Sequence, residues 1–268
     1  MRASRVSGTR SQREGDSDVT KHRFFVSPQQ FTNGTVRIIG EDARQIRVVL
    51  RLQPADEIGV LDGLGNEYRC VLEAVRRGEV IAQVCHKVPI DAEPDVHITV
   101  VQSLAKGEKV EQVIQHGTEI GVSRFLIVHT ERSVVRLDGE RGQRRLERWR
   151  RIAKESAEQA RRAKVPEIDG VVSLAEALQA VEPARIALLH PSASATSLVE
   201  WMQSGDTGKG IAVIVGPEGG FTDEEVSLCE QFGAGLVALM PRILRTETAA
   251  LVAVSQILVI APCRRDEP

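Results

Sequence analysis

The sequence predicts an α/β protein in which a small β-barrel precedes a larger domain built around a mostly parallel sheet. Two observations support this prediction. Residues 21–90 consist of short segments rich in Val, Ile and Leu, separated by turn dipeptides such as Asp62-Gly63 and Arg77-Gly78. From residue 96 onward, apolar strand candidates alternate with helical patterns, as is typical of a parallel sheet covered on both faces. A chain of 268 residues is long enough for both parts.

The N-terminal part of the chain is predicted to form an extension and then the barrel. Residues 1–20 are polar, with scattered arginines and no apolar segment of the kind that signal peptides carry, so we expect a disordered extension. One helix is expected at Glu41–Arg51, where apolar residues recur at helical spacing. Several short strands within so few residues indicate a small barrel. These strands are expected at Thr35–Ile39, Glu57–Leu61, Glu67–Glu73 and Glu79–His86.

After a linker at Pro89–Asp95, the rest of the chain is predicted to form the α/β domain. Ser173 and Thr222 each stand three residues before a glutamate, which is the spacing of a capping box, and Gly121 stands where a helix should end. Strands are expected at His97–Ser103, Arg124–Thr130, Arg185–His190, Ile211–Gly216 and Leu236–Met240. Helices are expected at Lys106–Ile120, Arg141–Ala163, Leu174–Val181, Leu198–Ser204, Asp223–Phe232 and Leu251–Ile260.

The composition limits the kinds of ligand and location that we expect. The 35 basic and 37 acidic residues nearly cancel, so a site for a polyanion has to be a local patch. Aromatic residues make up only 3% of the chain, which is too few for base stacking to be the main binding device. The four cysteines lack the spacings of zinc sites, so we expect no metal. The longest apolar stretch, Ala249–Ala261, is too short to cross a bilayer, and we expect a cytoplasmic protein without membrane contact.

The strongest local signal for a ligand is a glycine-rich loop, Gly216–Gly220, between a strand candidate and a helix candidate. In open α/β sheets, ligands bind at the carboxyl ends of strands, where such loops let a backbone come close. Glu218 in the loop and the acidic residues 223–225 at the start of the helix would repel a pyrophosphate. The loop therefore favours a neutral or cationic nucleoside, such as S-adenosylmethionine, over NAD or ATP. The alternative is a tight turn without a ligand.

A second loop with charged residues follows the last strand candidate, over Leu239–Ala250. It places Arg242, Arg245 and Glu247 in an otherwise apolar neighbourhood at the same edge of the predicted sheet. These residues are candidates for a site, together with polar residues of the helix Lys106–Ile120 such as Glu111. The alternative is a capped helix start, with Thr246 or Thr248 as the N-cap and the arginines in solvent.

The helix expected at Arg141–Ala163 carries many more basic than acidic residues. Arg144, Arg148 and Arg151 recur at helical spacing and could form a face that contacts a nucleic-acid backbone. The cluster Lys21–Phe25 adds a second basic and aromatic spot on the predicted barrel. A solvated charged face without a ligand is the alternative interpretation of the helix.

Six groups of residues carry a resemblance to a known family. In their order along the chain they are His22–Val26, Val49–Arg51, Lys106–Lys109 with Thr118–Val122, Glu158, Gln159, Arg162 and Pro166, then Gly216–Phe221, and Arg242–Ala249. Together they resemble the RsmE family, the 16S rRNA (uracil-1498-N3)-methyltransferases of the SPOUT superfamily, and the resemblance covers residues 21–262. Three positions depart from the family pattern: Gln45 stands where a His is frequent, Ala55 where a Gly is usual, and Met240 where a Gly is common.

The resemblance implies a PUA-like β-barrel domain that binds RNA over residues 21–90, and a SPOUT methyltransferase domain with a C-terminal trefoil knot over residues 96–264. It implies a homodimer, S-adenosylmethionine as cofactor, and 16S rRNA of the 30S ribosomal subunit as partner. The cofactor is expected at Leu189, His190, Pro191, Gly216, Pro217, Glu218, Gly219, Gly220, Leu239, Met240, Arg242, Ile243, Leu244, Thr248 and Ala249.

The implied reaction is methylation of a uracil N3, which has to lose its proton. We expect Arg162 and Arg245 to stabilise charge on the uracil oxygens, with Arg162 acting across a dimer interface, and Glu247 or Glu111 to be the base. Two other functions stay open: a non-catalytic RNA-binding module with an empty glycine loop, and a related methyltransferase that acts on tRNA. RNA contacts are expected from Arg23, Arg51, Arg144, Arg148 and Arg151.

Overall fold

A computed structural model of the chain describes residues 22–90, 92–135, 137, 139–181, 184–192, 194–205, 208–239 and 241–261. Two earlier expectations lie outside these residues: the disordered extension at 1–20 and the cofactor contact of Met240. The chain divides into two compact units, the first ending at Pro89 and the second holding residues 90 onward together with the turn 63–65. The domain bounds 21–90 and 96–264 stay a prediction.

The first unit is a six-stranded sheet with the order β1-β4-β5-β6-β3-β2. The pair β1–β4 is parallel and the other pairs are antiparallel, with two irregularities of register between β5 and β6 that bend the ladder. The strands are β1 (Arg23–Phe25), β2 (Phe31–Thr32), β3 (Thr35–Ile39), β4 (Glu57–Leu61), β5 (Glu67–Arg76) and β6 (Glu79–Val88). The predicted β3 and β4 are confirmed to the residue, whereas the short β1 and β2 were missed.

The helix expected at Glu41–Arg51 is present but short. Helix α1 covers Gly40–Arg44 and continues as a π-helical turn over Gln45–Val49, which contains the family departure Gln45. One face of the sheet and the inner face of this helical segment enclose an apolar core. The alternation of buried and exposed residues along β3, with Val36 and Ile38 fully buried, is the period-two pattern of a half-buried strand.

The second unit is a seven-stranded sheet with the order β11-β13-β10-β12-β7-β8-β9, in which every described pair is parallel. The strands are β7 (Ile98–Ser103), β8 (Arg124–His129), β9 (Glu167–Ser173), β10 (Arg185–Leu189), β11 (Thr196–Ser197), β12 (Ile211–Val215) and β13 (Gly235–Ala238). The helices are α2 (Lys109–Ile120), α3 (Gly139–Gln159), α4 (Leu174–Ala180), α5 (Leu198–Gln203), α6 (Asp223–Gln231) and α7 (Thr246–Ile260).

Both faces of this sheet are covered, which confirms the predicted α/β architecture. Every residue of β7 and of β12 is buried, because helices pack on each side of these central strands. One core contains side chains of α2, α3, α5 and α7, and the other contains side chains of α4 and α6. The knot in the chain path stays a prediction.

Local sequence signals set several helix ends. Ser173 and Thr222 form the predicted capping boxes, and Ser197 forms a third one that was not predicted. Gly121 ends α2 with a φ of +112°, and a Cβ at this position would lie 2.5 Å from Pro94 Cγ. Both its backbone conformation and its surroundings therefore require glycine.

The strand order determines where the loops after the strands meet. Strand β10 lies between β12 and β13, so the carboxyl ends of these three parallel strands are neighbours. The loops that follow them begin at His190, Gly216 and Leu239. The two loops with the strongest sequence signals are thereby brought together.

Within the described part of the chain, no helix is both long and apolar enough to cross a membrane.

Candidate active site

The loops after β10, β12 and β13 line a cleft of about 670 Å³, and a smaller recess of about 110 Å³ shares several of its lining residues. Thirteen of the fifteen residues expected to bind the cofactor line one or both. Of the other two, Thr248 is exposed and lines neither, and Met240 is not described. The thirteen expected residues that line the cleft or the recess are Leu189, His190, Pro191, Gly216, Pro217, Glu218, Gly219, Gly220, Leu239, Arg242, Ile243, Leu244 and Ala249.

The glycines of the loop are required by its geometry. A Cβ on Gly216 would lie 2.9 Å from the ring of Phe221, closer than real Cβ atoms approach, and Gly220 has a φ of +70°. Because the bare backbone turns so sharply here, its peptide groups line the cleft without side chains in front of them.

A chain of hydrogen bonds fixes this loop to the sheet and to α7. The amide of Gln102, buried at the carboxyl end of β7, donates to Thr246 Oγ1 over 2.9 Å, and this hydroxyl donates to the carbonyl of Gly216 over 2.6 Å. Thr246 is the first residue of α7, and Arg245 is the N-cap residue. The alternative of a threonine N-cap with the arginines in solvent is wrong about the N-cap, whereas Arg242 and Arg245 are exposed. Gln102 was missed, although a polar residue near the end of an apolar strand was a visible signal.

Arg132 holds the same loop from its other side. Its Nη1 donates to the carbonyls of Gly219 and Phe221, over 3.0 and 3.1 Å. Arg132 belongs to the segment after β8, and its side chain lines the cleft. Sequence reasoning missed it, because nothing local distinguishes this arginine from the many others in the chain.

The carboxylate of Glu218 is paired, which changes its expected role. Glu218 Oε1 accepts a hydrogen bond from Lys109 Nζ at 2.9 Å and one from the backbone N–H of Lys106 at 3.2 Å. Burial acts to raise the pKa of Glu218, but these hydrogen bonds outweigh it and lower that pKa. The hydrogen bond with Glu218 in turn raises the pKa of Lys109. Glu218 therefore ties the glycine loop to the start of α2.

The two charged candidates next to each other in the second loop differ in position, because Arg245 is among the residues that line the cleft and Glu247 is not. Arg245 is exposed and lines the cleft. Glu247, in the first turn of α7, has a side chain only 15% exposed, with Oε2 at 3.7 Å from Lys109 Nζ. Among the residues that the structure describes, this buried oxygen has no hydrogen-bond partner. Lys109, which was expected only as part of a family motif, lines the cleft as well.

The structure does not bring Arg162 and Glu111 to the cleft. Arg162 is 3% exposed. Its guanidinium donates to the carbonyl of Thr118 over 3.0 Å, to the carbonyl of Val122 over 2.7 Å and to the carboxylate of Glu93 over 2.7 Å. Glu111 is 6% exposed and pairs with Arg145 at 3.2 Å. Neither residue lines the cleft in this chain, and the catalytic roles expected for them stay predictions.

The residues expected to contact RNA differ in their surroundings. Arg23 is nearly buried and forms an ion pair with Glu67 at 2.6 Å. Arg51 is exposed, with a φ of +56°. The three arginines of α3 are also exposed, but each has a carboxylate nearby. The pairs are Arg144–Glu140 at 2.9 Å, Arg148–Glu108 at 3.2 Å and Arg151–Glu155 at 3.8 Å.

Comparison with known proteins defines first a class and then a family. A family model of the RNA methyltransferase domain matches residues 92–258, and one of the RNA methyltransferase PUA domain matches residues 38–85. The chain is thus an RNA methyltransferase-type protein with an N-terminal PUA-like domain. It is 35% identical to ribosomal RNA small subunit methyltransferase E of Bacillus subtilis over 88% of this chain and 95% of that protein. The chain belongs to the ribosomal RNA small subunit methyltransferase E family.

Other relatives give the same result. The protein of that name from Mycobacterium tuberculosis is 34% identical over 88% of this chain and 91% of its own length. The structure of the Neisseria gonorrhoeae member bound to S-adenosyl methionine superposes with a TM-score of 0.79 at 30% identity, over 89% of this chain and 97% of that one. A methyltransferase from Legionella pneumophila in complex with the same cofactor also gives 0.79 at 30% identity, over 90% and 98%. The predicted family is confirmed.

Proposed function

We propose that this protein transfers the methyl group of S-adenosylmethionine to N3 of a uridine in the 16S rRNA of the small ribosomal subunit, the nucleotide that corresponds to uracil-1498. The observation that supports this proposal is the cleft itself. Three loops that belong to distant parts of the sequence meet at the carboxyl ends of adjacent strands, and they are the segments expected to bind the cofactor.

The residues of the cleft fit this cofactor. The volume of the cleft lies within the range of sites for small ligands. Apolar side chains such as Leu189, Leu244 and Ala249 offer a surface for an adenine ring, and the peptide groups of Gly216–Gly220 offer hydrogen bonds. The acidic residues 223–225 at the start of α6 disfavour a phosphate. When bound, S-adenosylmethionine supplies an activated methyl group, so orientation by the cleft contributes much of the rate enhancement.

The chain also has to take up the proton of the uracil N3. We propose Glu247 as the base, because its Oε2 is buried beside the cleft-lining Lys109 and has no hydrogen bond from the described residues. Arg245 lines the cleft and is proposed to stabilise negative charge on the uracil oxygens. Glu111 is not proposed as the base, because its carboxylate is engaged with Arg145.

The test combines binding and product analysis. We expect calorimetry to show S-adenosylmethionine binding by the full chain, and mass spectrometry to show a 3-methyluridine in 16S rRNA after incubation with small subunits from a strain that lacks this modification. Cofactor binding without methylation of any RNA would contradict the proposal and favour a non-catalytic module. Methylation of tRNA, with rRNA left unmodified, would show that 16S rRNA is not the substrate.

A matched pair of variants tests the cleft. Gly220→Val places a β-branched side chain at a positive φ in the loop, and we expect it to weaken cofactor binding at least tenfold. Gly233→Val provides the control, because Gly233 also has a positive φ of +79° and open space around it, but lies after α6 and outside the cleft lining. Equal loss of binding in both variants would contradict the assignment of the cleft.

A further inference from the structure

The glycine loop is held at both ends, but by residues in different surroundings. At its start, the carbonyl of Gly216 accepts a hydrogen bond from Thr246, a buried residue of α7. At its end, the carbonyls of Gly219 and Phe221 both accept from Nη1 of Arg132, over 3.0 and 3.1 Å. Arg132 is exposed, and no other donor to these two carbonyls is found among the residues that the structure describes. The end of the loop therefore depends on one surface side chain.

The turn after β8 that carries Arg132 is itself fixed. The backbone N–H of Ser133 donates to the carbonyl of Thr130 over 3.0 Å, and the hydroxyls of these two residues are 2.8 Å apart. The backbone N–H of Glu131 donates over 2.8 Å to Oε1 of Glu225, in the first turn of α6. Because Glu225 also closes the capping box that follows the glycine loop, the turn and the loop share one support.

The side chain of Arg132 lies directly against the bare backbone of the loop. A Cβ on Gly219 would be 3.2 Å from Cβ of Arg132, which is tighter than most contacts of real Cβ atoms. Both hydrogen bonds of the guanidinium go to the loop, and Nε and Nη2 donate to none of the described residues. Arg132 and Gly219 also line the cleft. The contacts of this arginine are thus made with the loop that the ligand meets.

We propose that Arg132 is a positioning residue that sets the affinity for the cofactor through the conformation of the glycine loop. Its two charge-assisted hydrogen bonds hold the peptide groups of the loop in place before the ligand arrives, so less freedom is lost on binding. This inference rests on the proposed function, in which the cleft binds S-adenosylmethionine. It assigns the loop to the nucleoside part of that molecule.

Two substitutions separate the hydrogen bonds from the bulk of the side chain. Arg132→Met keeps a long apolar chain but removes both bonds, so we expect the Kd for S-adenosylmethionine to rise about tenfold. Both bonds come from a single nitrogen, and a lysine ammonium also offers several donors on one nitrogen. Arg132→Lys should therefore restore the Kd to within about threefold of the wild type.

Arg150→Met is the matched control. Arg150 is also exposed, and its guanidinium also donates to a backbone carbonyl, that of Ile168, at 3.2 Å. It does not belong to the cleft lining, so its removal should leave the Kd unchanged. Denaturant unfolding of each variant verifies that the chain is folded at the temperature of the binding experiment.

The experiment measures binding by calorimetry with three ligands: S-adenosylmethionine, S-adenosylhomocysteine and 5′-methylthioadenosine. All three share the nucleoside part, whereas 5′-methylthioadenosine lacks the amino and carboxyl groups of the methionine part. If Arg132 acts through the loop, Arg132→Met weakens all three by a similar factor. A direct ion pair between Arg132 and the carboxylate of the ligand would instead leave 5′-methylthioadenosine unaffected.

A similar loss for the three ligands, with recovery in Arg132→Lys, supports the proposal. An unchanged Kd in Arg132→Met, a lysine variant as weak as the methionine variant, or a loss confined to ligands with a carboxylate overturns it. An equal loss in Arg150→Met overturns it as well. A wild type that binds none of the ligands would refute the proposed function, whereas a wild type that binds them as well as Arg132→Met does would refute only this inference.

Discussion

At the scale of single residues, Ala55 shows how a departure from a family pattern has a physical consequence. It has a φ of +78°, a conformation that costs an L-residue about 1–2 kcal/mol. The turn is held by the hydrogen bond from Ala55 N–H to the carbonyl of Leu72, at 2.8 Å, so the strain cannot relax without loss of this bond. The sequence comparison found the unusual residue, and the backbone explains why glycine is usual there.

We therefore predict that Ala55→Gly stabilises the protein. The relief of the strained backbone exceeds the larger conformational entropy that glycine loses on folding, and we expect a gain of about 1 kcal/mol in the free energy of unfolding. Denaturant unfolding with a spectroscopic probe measures this change. Ala74→Gly in β5 is the control, because its backbone φ is not positive, and it should destabilise. Equal destabilisation by both substitutions would show that Ala55 is not strained.

At the scale of elements, sequence patterns located most helices and strands but not the contacts between distant segments. The strand β9 was missed because Asp169 and Gly170 interrupt its apolar pattern. The glycine loop was predicted because its glycines stand between a strand pattern and a helix pattern, which the local sequence shows. The bonds that hold this loop were not predictable, since Lys109 and Glu218 lie 109 positions apart and only the strand order brings them together. The side-chain partners of Arg162 and Glu111 were not predictable for the same reason.

Arg162 joins several elements, and we predict a structural effect for its removal. Its guanidinium binds the end of α2 through Thr118 and Val122, and pairs with Glu93 in the segment before β7. Arg162→Met leaves two carbonyls and a carboxylate without this partner, so we expect the free energy of unfolding to fall by about 3–5 kcal/mol. The kcat of the protein that stays folded should be close to that of the wild type.

The neighbouring Arg161 provides the control for this experiment. It is exposed, and Arg161→Met should change stability by less than about 0.5 kcal/mol. Chemical denaturation and methylation assays at low temperature, where both variants are folded, separate the two effects. A large fall in kcat for Arg162→Met with unchanged stability would restore the original catalytic assignment, including a role across a dimer interface.

At the scale of the whole molecule, the surface of α7 is unusual. A surface helix normally carries charged residues on its solvent side, but Glu247 in the first turn is the only charged residue between Thr246 and Ile260. The exposed residues of α7 are Thr248, Ser255 and Val259, and Val259 is 85% exposed. A helix surface with an exposed valine and a single charged residue is compatible with cover by another protein. The family resemblance implies that this protein is a second copy of the same chain.

We predict that the protein is a dimer and that Val259→Asp weakens it. A carboxylate in an apolar interface has to be desolvated without a partner, which costs several kcal/mol, so the variant should sediment close to the monomer mass of 29.4 kDa. Val49→Asp is the matched control, because Val49 is 69% exposed but belongs to the other structural unit. Analytical ultracentrifugation over a range of concentrations measures both. A wild type that sediments as a monomer, or a Val259→Asp variant that stays dimeric, would exclude this face of α7 as the dimer interface.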